Sequence, residues 1–142
     1  MTEVKFYDRA DDSLLKFAVI ITRSNGQWVF CKHKKRDTYE VPGGHRESGE
    51  TILETARREL YEETGALEYS LTQVCVYSVT APGNFDGKET FGMLFYADVQ
   101  RFEKELHSEI EKIILTDALP ENWTYPLIQP KLMAEAQRRG IL

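Results

Sequence analysis

The sequence predicts an α+β or layered α/β/α domain, and three observations predict it. Apolar runs of strand length lie on both sides of one strongly marked helix, and a second helical pattern follows near the end. The 142 residues match the commonest domain size, 42% are hydrophobic, and no repeat or linker breaks the pattern. Residues 1–142 therefore read as one domain.

Residues 14–22 (LLKFAVIIT) and 28–31 (WVFC) are dense apolar runs separated by Ser24-Asn25-Gly26, so they predict a hairpin turned at Asn-Gly. Tyr39-Glu40-Val41 predicts a short extended piece ending at Pro42, and Gly43-Gly44 then predicts a sharp turn. Residues 51–64 form the clearest helix. Thr51 and Glu54 make a capping box at its start, and Gly65 suits its left-handed end. Residues 74–80 and 90–99 predict strands on either side of the turn-rich segment 81–87. Residues 110–115 predict a last strand, and 130–139 a helix stopped by Gly140.

A net charge of −5 argues against wrapping nucleic acid by bulk electrostatics, which needs a basic surface. The only dense basic run is Lys32, His33, Lys34, Lys35 and Arg36, and a charge run is ordinarily a solvated strand end. Cys31 and Cys75 have no metal-ligand or disulfide-framework spacing and read as buried thiols in a reducing compartment. No signal-like segment opens the chain and no apolar run reaches membrane-spanning length, so a cytoplasmic protein with no membrane partner is expected. Nothing in the pattern fixes an oligomeric state.

The central helix crowds Glu59, Glu62 and Glu63 into its last turns. Like charges three and four residues apart cost about 0.2–0.5 kcal/mol per pair, and a carboxylate at the negative end of the helix dipole costs about 0.3–1 kcal/mol more. With Glu59 at zero on a helical wheel, Ile52, Ala56, Leu60 and Leu53 fall at about 20°, 60°, 100° and 120° and define a core stripe. Glu63 falls near 40° and Glu62 near 300°. Glu59 and Glu63 thus border the buried face. Arg58 pairs with Glu54 and Glu62 at i,i+4 spacing and leaves Glu59 and Glu63 without such a partner. A hard divalent cation with oxygen ligands would remove the repulsion, and Mg²⁺ held this way leaves room for substrate phosphates.

These residues resemble the signature of the Nudix (MutT-like) hydrolases, G-x5-E-x7-R-E-U-x-E-E-x-G-U with U a bulky aliphatic. Gly44, Glu50, Arg58, Glu59, Leu60, Glu62, Glu63 and Gly65 match it, and only Ala66, in the last slot of the box at 44–66, is smaller than usual. The flanking Glu40-Val41-Pro42-Gly43 and Asp117-Ala118-Leu119-Pro120 are similar to the family's lead-in and late turn. The resemblance implies a mixed β-sheet sandwiched between helices, and cleavage of a diphosphate bond in a nucleoside diphosphate linked to another group. It implies that Glu59, Glu62 and Glu63, with the Gly44 carbonyl, bind Mg²⁺ or Mn²⁺. Arg58 would orient the carboxylates, with Glu50 as a supporting partner. Glu59 serves as general base in some relatives and an acid from a late loop in others, for which Glu105, Glu109 and Glu111 are the candidates.

A nucleoside triphosphate pyrophosphatase is the leading expectation, with oxidised nucleotides such as 8-oxo-dGTP among its substrates. Tyr39, Phe85, Trp123 and Tyr125 are placed near turns where an aromatic ring can stack a base, and Asn122 or Thr124 can read its edge. Lys34, Lys35 and Arg36 are candidates for phosphates or an RNA 5′ end. RNA 5′-pyrophosphohydrolase and nucleotide-sugar or dinucleoside-polyphosphate hydrolase stay open as alternatives. A non-catalytic ligand sensor is the alternative from another class, and such modules typically lose charged box positions that are all kept here.

Overall fold

The computed structural model describes residues 1–83, 85–105 and 110–141. Its first strand, β1 (Glu3–Tyr7), was not expected, because a five-residue edge strand with alternate exposed positions carries too little apolar pattern. The expected hairpin forms between β2 (Leu15–Ser24) and β3 (Gln27–His33). Asn25 and Gly26 turn it with φ of 51° and 78°, the left-handed values that a two-residue loop demands.

The expected turn at Gly43-Gly44 is instead a strand, β4 (Gly43–His45), paired antiparallel with β2 so that Val19, Ala18 and Phe17 face Gly43, Gly44 and His45. Neither glycine has positive φ. Their value is the missing side chain. A β-carbon at Gly43 would lie 2.5 Å from the Ala18 carbonyl oxygen.

Helix α1 (Ile52–Thr64) carries the capping box in full, with Glu54 N–H donating to Thr51 Oγ1 and Thr51 N–H to Glu54 Oε1, and ends at Gly65 with φ of 74°. Ile52, Ala56 and Leu60 are buried as the wheel required, whereas Leu53 is 40% exposed and Thr55 is buried in its stead. Thr64 is buried as well, so the packed stripe is wider than the wheel suggested and only its start, at Leu53, is left open.

The next strand, β5 (Ala66–Thr80), begins well before the expected position 74. Its first half alternates exposed polar positions with partly buried Tyr69 and Leu71, so no apolar run marks it. After it come β6 (Thr90–Phe102) and β7 (Ile110–Thr116), then α2 (Gln129–Arg138). The sheet runs β1-β5-β6-β2-β3-β7, with β4 beside β2. Among the described strands the central β2–β6 pair is parallel and the other pairs are antiparallel, so the sheet is mixed.

Each face of the sheet buries a core. Ile52, Ala56 and Leu60 of α1 pack with Ala18, Ile20, Phe95 and Val99, while Leu132, Met133 and Ala136 of α2 pack with Ile21, Phe30, Leu94 and Tyr77. The alternation of β2 sends Ile20 to one core and Ile21 to the other, so both helices are fixed by one strand. This is the sandwich expected from the sequence.

In α2 the buried Glu135 accepts hydrogen bonds from Arg138 Nε (2.9 Å) and Nη2 (2.6 Å) and from Arg139 Nε (2.8 Å). Those donors hold its carboxyl down to about 2, against an ordinary 4.5. A depressed acid stabilises the fold above the unfolded pKa and loses that stabilisation as pH falls toward the folded value. Glu135→Gln is expected to cost about 1–2 kcal/mol at pH 7, allowing for solvent around Arg138. Denaturant melts of the two proteins should converge between pH 4.5 and about 2. A gap that is independent of pH would show that the ion pairs contribute nothing.

Candidate active site

The C-terminal turns of α1 meet β4 on one side and the end of β3 on another. Gly44 makes the first approach possible, since a β-carbon there would overlap the Glu59 carboxylate. Gly44→Ala is therefore expected to push Glu59 away, lowering turnover roughly 10–100-fold, the usual cost of disturbing what orients a ligating group. The Tm and kcat of the variant check this. Unchanged turnover would mean that the position of Glu59 does not matter.

Arg58 is the hub of the acidic set. Its Nε donates to Glu50 Oε2 (2.6 Å), its Nη1 to Glu59 Oε1 (2.6 Å) and Glu62 Oε1 (3.3 Å), and its Nη2 to the His45 carbonyl (2.9 Å). The i,i+4 contact with Glu62 was expected. The contact with Glu59, its immediate neighbour, was not, so Glu59 is not without a cationic partner. Glu50, also bonded by the Glu47 N–H and Thr55 Oγ1, is held down to about 2, chiefly by the Arg58 hydrogen bond. Those contacts tie Glu50 to the Arg58 guanidinium through both of its oxygens.

Glu63 points the other way. It is 8% exposed. Its Oε1 accepts from the Gly43 N–H at 2.8 Å, and its Oε2 lies 3.3 Å from His33 Nε2. Burial pushes its carboxyl up to about 8, opposed by the Gly43 hydrogen bond and reinforced by repulsion from Glu59, Glu40 and Glu62. Burial also raises Glu59, against the pull of Arg58.

Among the described residues, no three acidic, histidine or cysteine side chains converge as ligands around one point, and the Arg58 guanidinium lies between Glu59 and Glu62. The donor set still fits a hard divalent cation. It offers carboxylate oxygens from one helix end, two of them pushed toward neutrality by burial, beside a backbone kept bare at Gly44. A cation there would lower the cost of ionising both.

A cavity of about 430 Å³ opens beside Gly43 and Gly44, between Phe17, His45, Tyr77, Phe85, Tyr125 and Gln129. Phe17 makes edge contacts with His45 (centroids 4.6 Å apart) and Phe85 (6.0 Å). Of the expected base contacts, Phe85 and Tyr125 line this cavity. The others are engaged elsewhere. The Asn122 amide donates to the Asp37 carbonyl, Thr124 Oγ1 bonds Thr38 Oγ1, and Trp123 packs on Phe30 while bridging Tyr39 through the backbone.

The basic run is similarly divided. Lys32 pairs with Glu111 at 3.1 Å, and Arg36 pairs with Glu40 at 3.0 Å. Lys34 and Lys35 are exposed. Among the late acids, Glu111 is turned to Lys32, Glu105 is exposed, and Glu109 lies outside the described residues.

Phe17, His45, Tyr77 and Gln129 were not foreseen. Phe17 and His45 meet only through the β2–β4 pairing, which the sequence does not display. Gln129 closes the floor by accepting from the Val41 N–H at 2.8 Å.

A NUDIX domain family model matches residues 13–134. The chain is 34% identical over 123 residues to the Bacillus subtilis (strain 168) protein named "Putative 8-oxo-dGTP diphosphatase YtkD", covering 84% of this chain and 73% of that one. A crystal structure of a mutant of the Bacillus subtilis pyrophosphohydrolase BsRppH superposes with a TM-score of 0.78 at 27% identity, covering 98% of this chain and 91% of that chain. A NUDIX hydrolase from Nitrosomonas europaea shares the fold, with a TM-score of 0.70 at 19% identity over 87% of this chain and 89% of its own.

Proposed function

This chain belongs to the NUDIX family and is a pyrophosphohydrolase, and from that premise we propose that it cleaves nucleoside triphosphates to monophosphate and pyrophosphate. The observation that carries the proposal is the aromatic-walled cavity that ends at Gly43-Gly44, beside Glu59. At about 430 Å³ it has the size of a small-ligand site. Phe17 and Phe85 offer ring surface on which a base would stack, and Gly43 and Gly44 lie in the same wall. The likeness to a protein whose name includes 8-oxo-dGTP diphosphatase supports oxidised purine nucleotides as substrates.

Glu59, Glu62 and Glu63, with the Gly44 carbonyl, would hold Mg²⁺ or Mn²⁺, which when bound supplies a Lewis acid for the phosphates and a lower pKa for bound water. Arg58 fixes Glu59 and Glu62 in relation to Glu50 and the His45 carbonyl. The Gly43 N–H fixes Glu63. In the reaction water splits the α–β bridge: its oxygen bonds to one of the two phosphorus atoms, that phosphorus releases the bridging oxygen, and monophosphate, pyrophosphate and a proton leave.

The absence of any described helix long and apolar enough to cross a membrane, and two buried free cysteines, suit the cytoplasmic setting in which such nucleotides are found. A second reading has its own support: Lys34 and Lys35 stay exposed, while their neighbours are paired, and so are available to the backbone of an RNA bearing a 5′ triphosphate.

Incubation of the protein and Mg²⁺ with normal and oxidised nucleoside triphosphates, sugar nucleotides and triphosphorylated RNA, with product identification, tests both readings. Monophosphate and pyrophosphate from free nucleotides support the first. Preference for RNA supports the second, and turnover of sugar nucleotides alone contradicts both.

A further inference from the structure

Glu63 is the carboxylate of the helix end that Arg58 does not hold among the described residues. Its two oxygens face different elements. Oε1 takes the Gly43 N–H of β4 at 2.8 Å, and Oε2 stands 3.3 Å from the imidazole Nε2 of His33 on β3. The same Nε2 lies 3.7 Å from Glu40 Oε2, and Glu40 Oε1 accepts from Arg36 at 3.0 Å. The imidazole therefore sits between two buried carboxylates, one of which already has its own cation.

The backbone explains how a residue of an apparently solvated basic run comes to be there. Cys31 and His33 are two apart on β3 and share a face, and the Cys31 Sγ is 4.0 Å from Glu63 Oε1. The pairing of β3 with β7 shifts register between Lys32 and His33, and the extra residue is Glu111 of β7. Lys32 turns to Glu111, and His33 turns to Glu63.

We propose that His33 is a positioning residue for Glu63, its imidazole 3.3 Å from the oxygen opposite the one held by Gly43 and confining it, so that the carboxylate is presented to the divalent cation in one orientation. This rests on the metal-dependent reading of the site. A buried carboxylate anchored at one oxygen can rotate about its last bond, and a ring packed against its other oxygen from another strand limits that.

The test compares wild type, His33→Ala and His33→Gln. Mn²⁺ binding is read by electron paramagnetic resonance on nucleotide-free protein, kcat and KM in Mg²⁺, and Tm by calorimetry. The alanine variant should bind Mn²⁺ about tenfold more weakly and lose about tenfold in kcat, the scale expected for a group that orients a ligand, with KM for nucleotide and Tm little changed. Glutamine, whose amide N–H₂ reaches to where Nε2 lies, should recover most of both losses. Wild-type Mn²⁺ affinity in His33→Ala would overturn the proposal alone. So would a rise in KM at constant kcat, which marks a substrate contact, or equal failure of both variants with a lowered Tm, which marks packing. Failure of the wild type itself to bind Mn²⁺ would overturn the metal reading and this proposal with it.

Discussion

Glu63→Gln is expected to reduce Mg²⁺-dependent turnover roughly 10²–10⁴-fold, since metal-ion stabilisation of transition-state charge contributes several kcal/mol and each 1.36 kcal/mol is tenfold. The substitution is nearly isosteric, and the Gly43 N–H can still donate to the amide oxygen. The fold should not suffer. Burial holds the Glu63 carboxyl up at about 8, so the folded state favours the protonated form. A raised acid contributes stability that is present below its unfolded pKa and is lost as pH rises through the folded value. In metal-free buffer, Glu63→Gln should match wild type near pH 4.5 and melt at a higher temperature at pH 8. Retention of turnover would remove Glu63 from the site, and a lower Tm at pH 8 would contradict the account of its burial.

Arg58→Ala has the second largest expected effect and acts on both stability and activity. The guanidinium is shared by Glu50, Glu59, Glu62 and the His45 carbonyl, with Glu47 at 3.5 Å. Removing one partner from a buried charge network costs about 3–5 kcal/mol. With Arg58 partly in solvent, about 2–3 kcal/mol is expected here. Turnover should fall about 100-fold or more as Glu59 and Glu62 lose their shared anchor. Arg58→Lys should rescue little, because a point charge cannot bridge the acceptors that the planar fork bridges. Denaturant melts and kcat of both variants decide it. Full activity in Arg58→Ala would reduce the residue to a surface ion pair.

Local rules made part of this visible beforehand. The capping box at Thr51 and Glu54, the Asn25-Gly26 hairpin and the crowding of Glu59, Glu62 and Glu63 are each decided within a few residues, and each stands where expected. What stayed hidden depends on register between distant segments. Gly43 and Gly44 looked like a turn because glycine pairs usually are, yet their pairing with β2 makes them a strand on which Glu59 can lie. Phe17 was one residue of an apolar strand run, and the same pairing puts it against His45 in the cavity wall. His33 looked solvated, and the alternation of β3 puts it on the face of Cys31, toward Glu63. Leu53 was placed in the core because the wheel assumes that the sheet covers the whole stripe, whereas it lies 40% exposed.

The central claim is that the end of α1 is a divalent-cation site, and calorimetric titration of Mn²⁺ into nucleotide-free wild type and Glu63→Gln tests it most directly. Saturable binding in the wild type, weakened at least about tenfold in Glu63→Gln, is the predicted result. Equal binding by the two proteins, or none by the wild type, would contradict it.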